Sequence, residues 1–168
     1  VPTLSPSMDI QVSSNLERLL FELLGRDGPA VAALLEHFRS EGTAALGPGL
    51  HAPLGNAWSG YRFDDEEVLR CIADEADRSG TVLDPHTAVG VLAARAHQEA
   101  GYDSGVKMVA LATAHPSKFP DAIEQATGVR PPLPDRLADL FDRPEQLVRL
   151  PNDLEAVEAF VAERSRVG

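Results

Sequence analysis

Thr113, His115, Ser117 and Lys118 place two hydroxyls, an imidazole and an ammonium within one short stretch, Leu111-Ala112-Thr113-Ala114-His115-Pro116-Ser117-Lys118-Phe119. Such a set can donate hydrogen bonds, move a proton near neutral pH and attract an anion. The stretch follows Lys107-Met108-Val109-Ala110, a nearly unbroken apolar run of the length expected for a strand buried on both faces. It leads into Asp121-Ala122-Ile123-Glu124-Gln125-Ala126-Thr127, which reads as a helix stopped by Gly128. In open α/β sheets, ligands bind where a strand's carboxyl end meets a helix's amino end. The same residues also suit a turn that only caps and solvates, and on spacing alone that plainer reading has the edge.

A second polar turn precedes it. Thr81-Val82-Leu83 reads as a short strand, and Asp84-Pro85-His86-Thr87 as a helix opening with Asp84 as N-cap. Val89, Leu92, Ala93 and Ala96 give that helix a small-residue face suited to close packing on a sheet, and Gly101 closes it. Strand, polar turn and helix thus occur twice, a βαβ pattern that opens both turns on one side of a parallel sheet. His86 and Thr87 then face the same side as His115 and Ser117. This shared side is the physical argument for a site.

The remaining elements frame these two turns. Ser14-Asn15-Leu16-Glu17 reads as a capping box ahead of Leu16, Leu19, Leu20, Leu23 and Leu24, with Gly25 as a stop. Pro29 opens a second helix carrying Val31, Leu34, Leu35 and Phe38, so the two form a helical hairpin. Thr43 to Phe63 is rich in Gly and Pro and reads as a loop pinned by His51, Trp58 and Tyr61. Asp64 caps a helix with Val68, Leu69, Ile72 and Ala76 on its apolar side, ended by Gly80. Beyond Gly128, Asp135 to Phe141 reads as a short helix and Gln146 to Leu150 as a strand. Asn152-Asp153-Leu154-Glu155 reads as a second capping box before a final helix.

Composition narrows the function classes. The 168 residues suffice for one domain with a sizeable core. A net charge of −11 argues against nucleic acid or an anionic membrane as partner. No apolar run is long enough to span a bilayer and no signal peptide is seen. The lone Cys71 cannot form an internal disulfide, which points to the cytoplasm, and its place beside Val68 and Ile72 suits an inert, half-buried thiol. No metal-ligand spacing, P-loop or GxGxxG occurs.

Ala112-Thr113-Ala114-His115-Pro116-Ser117-Lys118-Phe119 resembles the Thr-Ala-His-Pro-x-Lys-Phe motif of the threonine synthase family. Asp84-Pro85-His86-Thr87-Ala88-Val89-Gly90 is similar to its Asp-Pro-His-x-Ala element. Ser5-Pro6-Ser7-Met8-Asp9-Ile10-Gln11-Val12-Ser13-Ser14-Asn15 with Glu17-Arg18 is similar to its segment after the glycine-rich cofactor loop. The three segments match in order and cover essentially the whole chain. The resemblance implies an α/β, parallel-sheet fold of the tryptophan-synthase β-like type (PLP fold type II), with a helix-rich C-terminal segment. It implies a carbon–oxygen lyase that uses pyridoxal 5'-phosphate to convert O-phosphohomoserine and water to threonine and phosphate. Thr113 would hydrogen-bond the cofactor's pyridine nitrogen, and His115, Lys118, His86 and Thr87 would line the pocket. His115 and Lys118 meet phosphate or shape the turn, and the residues leave both open.

The family's Schiff-base lysine and glycine-rich phosphate loop have no match here, where the only lysines are Lys107 and Lys118. With Val1 first, the resemblance implies the C-terminal portion of a longer chain, its partner the missing N-terminal part. It supplies cofactor-domain elements over about 1–128 and a helical tail over about 129–168, with no catalytic residue of its own. Two other readings share the fold: a non-catalytic α/β ligand-binding module, and another PLP fold type II lyase such as a dehydratase.

Overall fold

Leucines at helical spacing make Ser14–Leu23 the first helix, α1, of the computed structural model, which describes residues 2–102 and 105–165. Its N-cap is Ser13, whose side chain makes no cap bond; the Glu17 N–H bonds the Ser13 carbonyl instead. The expected Ser14 capping box therefore does not form, and Asn15 Oδ1 accepts from the Arg18 guanidinium. Helix α2, Gly28–Glu41, opens on Pro29, and the Asp27 carboxylate accepts the Ala30 N–H at 3.0 Å. α1 packs on α2 as the expected hairpin.

The stretch read as a loop contains a helix, α3, Pro48–Ala57, with Pro53 inside it. Gly and Pro argue against a helix interior. Pro48 nevertheless starts one at no hydrogen-bond cost, and burial of Leu50 beside α1 outweighs weak propensity. Trp58 at its end stays 64% exposed, whereas the Tyr61 hydroxyl lies 2.9 Å from His97 Nδ1.

Helix α4, Asp65–Ser79, has the predicted Asp64 start: Asp64 Oδ1 accepts the Glu67 N–H at 2.9 Å, and Glu67 Oε2 accepts the Asp64 N–H at 2.8 Å. It ends on Gly80 at φ +72°, a left-handed conformation that glycine adopts without strain. Helix α5, Pro85–Glu99, and helix α6, Pro120–Thr127, both pack on α4. Val68, Cys71, Ile72, Ala88 and Ile123 form the core between them, flanked by Phe63, Leu83, Val89, Val91, Leu92 and Ala126. Burying a side chain of isoleucine size contributes about 1.5–3 kcal/mol. Burial pushes the Cys71 thiol up, as expected for an unreactive cysteine. The buried Glu75 carboxylate meets Arg78 on its own helix and, across the α4–α5 seam, Arg95. The Arg78 guanidinium, more than Arg95, holds that carboxyl below its usual range.

No strand occurs among the described residues, so the parallel sheet expected of an α/β protein is not formed in this chain. Residues 81–83, 107–112 and 146–150 form neither helix nor strand. The apolar run does not become the expected strand, because among the described residues no neighbouring strand offers it free N–H and C=O groups. Val109 is 80% exposed and Leu111 73%, the opposite of a strand buried on both faces.

The chain divides into two compact units, Val1–Pro132 and Leu133–Gly168. In the second, the expected 135–141 helix is a 3-10 turn, Asp135–Leu137, followed by irregular turns. Helix α7, Leu154–Arg164, is capped by Asp153, whose Oδ1 accepts the Ala156 N–H at 2.9 Å, rather than by a box with Glu155. No residue of α7 is buried, and Leu154 and Val161 lie exposed.

Candidate functional site

Buried polar groups in a small core mark where the chain spends packing on something other than apolar contact. Asp84, His86 and Thr87 are all buried, and all lie at the opening of α5. Asp84 caps the helix: its Oδ1 accepts the His86 N–H at 3.0 Å. The same oxygen lies 3.0 Å from His86 Nδ1, and Oδ2 accepts the Thr87 hydroxyl. His86 Nε2 accepts the backbone N–H of Ser7 at 3.1 Å, so Nδ1 carries the proton it donates to Asp84. Both imidazole nitrogens are engaged.

The second polar turn reaches the first. Thr87 Oγ1 accepts the Thr113 N–H at 3.2 Å. A Cβ built on Gly90 would stand 3.9 Å from the Ala110 Cβ, so the apolar run passes close beside α5. The Phe119 ring lies over His86 with centroids 4.8 Å apart, tilted by 53°. The two turns meet through a hydrogen bond and a ring contact, whereas the βαβ arrangement expected to bring them together has no strands among the described residues.

Thr113 itself is exposed, and among the described residues its hydroxyl makes no hydrogen bond. His115 is also exposed and shapes its own turn: Nδ1 accepts the Ser117 N–H at 3.2 Å and lies 2.8 Å from the Ser117 hydroxyl. The bond to the Ser117 N–H closes the turn from within. Lys118 closes the 3-10 turn Pro116–Lys118 with its ammonium 6.0 Å from the Phe119 ring centroid. Among the described residues Lys118 has no carboxylate partner, in a chain of net charge −11.

The amino-terminal segment completes this corner of the first unit. Asp9 accepts the Thr3 N–H at 2.8 Å and the Thr3 hydroxyl at 2.9 Å, and the first of these holds its carboxyl below the ordinary range. The Leu4 N–H donates to Asp65 Oδ1 at 3.0 Å, tying the segment to the start of α4 as Ser7 ties it to α5. Sequence reasoning missed Ser7, Asp9 and the reach of Asp84. A signal existed for Asp84 alone: a cap with Thr three residues on can meet that hydroxyl as well as the backbone. The link from Ser7 to His86 spans 79 positions and has no local signature.

Thr113 and Lys118, both exposed, present a hydroxyl that can donate a hydrogen bond and a positively charged ammonium. That donor set fits pyridoxal phosphate chemistry, in which a neutral hydroxyl serves an unprotonated ring nitrogen. No cluster of His, Cys, Asp and Glu able to hold a metal is present among the described residues. No helix among them is long and apolar enough to cross a membrane.

The chain is similar to known proteins over nearly its whole length. A family model described as "Threonine synthase, C-terminal" matches residues 87–161. Threonine synthase of Pseudomonas aeruginosa is 48% identical over 168 residues, covering 99% of this chain and 35% of that protein. The Corynebacterium glutamicum threonine synthase is 36% identical, over 96% of this chain and 34% of its own length. A PLP-bound threonine synthase from Brucella melitensis superposes with a TM-score of 0.70 at 41% identity, over 99% of this chain and 35% of that one. Yeast threonine synthase gives a TM-score of 0.75 at 29% identity, over 97% and 36%. The chain spans about a third of the length of the relatives it matches. The chain is thus similar over nearly its whole length to threonine synthases, and residues 87–161 match the C-terminal model of that family.

Proposed function

We propose that this chain forms one wall of the active site of a threonine synthase, which converts O-phosphohomoserine and water to threonine and phosphate. The observation that carries the reading is Thr113, an exposed hydroxyl with no partner among the described residues, on a backbone anchored to the buried Thr87. When bound, pyridoxal 5'-phosphate supplies an electron sink for the substrate's α-carbon. Thr113 Oγ1 donates to the pyridine nitrogen and leaves it unprotonated, where a carboxylate would keep it protonated. Lys118, without a carboxylate partner among the described residues, draws the phosphate-bearing substrate. His115, with Nδ1 held by Ser117, presents its other ring nitrogen as a site for a proton near the leaving phosphate. His86 and Thr87 back the wall from beneath.

The lysine that binds the cofactor, the glycine-rich phosphate loop and the strands of the parallel sheet belong to the N-terminal part that the relatives possess. Residues 106–112 add an edge to that sheet, within cofactor-domain elements over about 1–128, and 129–168 form the C-terminal tail. The buried, unreactive Cys71 suits a cytoplasmic enzyme.

Adding pyridoxal phosphate to the full-length protein should produce a cofactor absorption band, and O-phosphohomoserine should then release phosphate. A protein that takes up the cofactor and dehydrates serine or threonine, but leaves O-phosphohomoserine intact, is another lyase of the fold. One that binds a phosphate ligand and turns nothing over is a binding module. Either result overturns the reading.

A further inference from the structure

An N-cap needs one bond, from its side chain to the backbone N–H two or three residues on. Asp84 makes that bond and two more, both to side chains, while only 1% exposed. We infer that Asp84 is a positioning residue that sets, through Thr87 and His86, the two long-range contacts holding Thr113 and the Ser7 segment in place.

The argument is one of hydrogen-bond polarity. A hydroxyl has one proton, and Thr87 gives it to Asp84 Oδ2, so the oxygen's lone pairs are left for the Thr113 N–H at 3.2 Å. A neutral imidazole has one donor and one acceptor. Asp84 Oδ1 takes the Nδ1 proton, which makes Nε2 the acceptor of the Ser7 N–H at 3.1 Å. Both distant partners are backbone donors, and an acceptor-only carboxylate is the group that turns both intermediates into acceptors. The Phe119 ring packs against the His86 imidazole, with centroids 4.8 Å apart. Asp84 thereby fixes the start of the 113–118 turn and the 3-10 turn Pro6–Met8 from one buried point.

This inference rests on Thr113 as the cofactor's partner, and the test separates the two. In the full-length protein, Asp84→Ser keeps a good N-cap but is too short to reach His86 Nδ1 and Thr87 together. Amide hydrogen exchange should rise about tenfold in both 5–9 and 111–115 while α5 keeps its protection. Thr87→Val should raise exchange in 111–115 alone, shift the cofactor's absorption and lower kcat more than it raises KM. Thr87→Ser, which retains the hydroxyl, should restore all three. Wild-type exchange in both segments of Asp84→Ser would reduce Asp84 to a cap, and loosening of only one segment would break the shared hub. An unfolded Asp84→Ser leaves the Thr87 pair to decide, where equal damage by valine and serine rejects the hydroxyl's role. Exchange needs no cofactor, so a full-length protein that binds no pyridoxal phosphate would sink the proposed function while the exchange pattern still judges the hub.

Discussion

The run 106–112 is apolar at six of its seven positions and the helices α4, α5 and α6 at about half of theirs or fewer, yet it is the helices that bury their apolar side chains. Ile72 is 0% exposed, while Val109 and Leu111 lie open. A helix satisfies its backbone internally, so an apolar stripe needs only another stripe to cover it. An extended run must find its hydrogen bonds in a neighbouring strand, and no strand exists among the described residues. The contrast teaches that the helical layer is self-sufficient, whereas the run is half of an interaction. Thr113 stands at the junction, its backbone held by the self-sufficient half through Thr87.

The sharpest way to break this comparison is activity. Residues 1–168 alone should show no threonine synthase turnover, because the run is uncovered and neither lysine matches the family's cofactor lysine. Phosphate release from O-phosphohomoserine by the purified chain would overturn that. Next, Ile72→Ala or Ile123→Ala should lower the stability of the chain by about 2–5 kcal/mol, read by chemical denaturation, since each leaves a cavity between α4, α5 and α6. A loss under 1 kcal/mol would mean that the layer is loosely packed. Thr113→Val in the full-length protein should shift the cofactor's absorption and slow turnover about tenfold, the value of one lost hydrogen bond. An unchanged spectrum and rate remove Thr113 from the site.

Acid probes the seam of the self-sufficient half. The Glu75 carboxyl is held low by Arg78 and then Arg95, so the unfolded state takes up its proton first as pH falls. Its contribution is complete above the ordinary carboxylate range, near about pH 4.3, and fades as acid passes through the lower folded value. Glu75→Gln should flatten the acid dependence of stability relative to wild type, and a parallel dependence would discount the pair. The smallest effect belongs to the open run. Leu111→Ser in the isolated chain should change stability by no more than about 0.5 kcal/mol, and a core-sized loss would show that the run is covered after all.

Much of the helical layer was legible because its signals are local. Asp64, Asp84 with Pro85, and Gly80 and Gly128 each act within four residues, and each does in the structure what its type predicts. The Ser14 box failed because a competing start lay one residue earlier, a shift that local pattern cannot resolve. Helix α3 was invisible because Pro53 and its glycines oppose it, and only contact with α1 makes it form. In the candidate site, motif spacing marked His86, Thr87, Thr113, His115 and Lys118. It did not show that His86 has both nitrogens spent while Lys118 lacks a carboxylate partner among the described residues.

The sequence by itself determined the resemblance to threonine synthases, the helix boundaries set by caps and glycines, and the residue types at the two polar turns. These depend on neighbours a few positions apart, where chain geometry leaves little choice. Tertiary structure alone decided that Ser7 meets His86, that Thr87 holds Thr113, and that the apolar run lies open. Those outcomes join groups tens of residues apart, and burial, hydrogen-bond polarity and the presence of a pairing edge belong to the assembled fold.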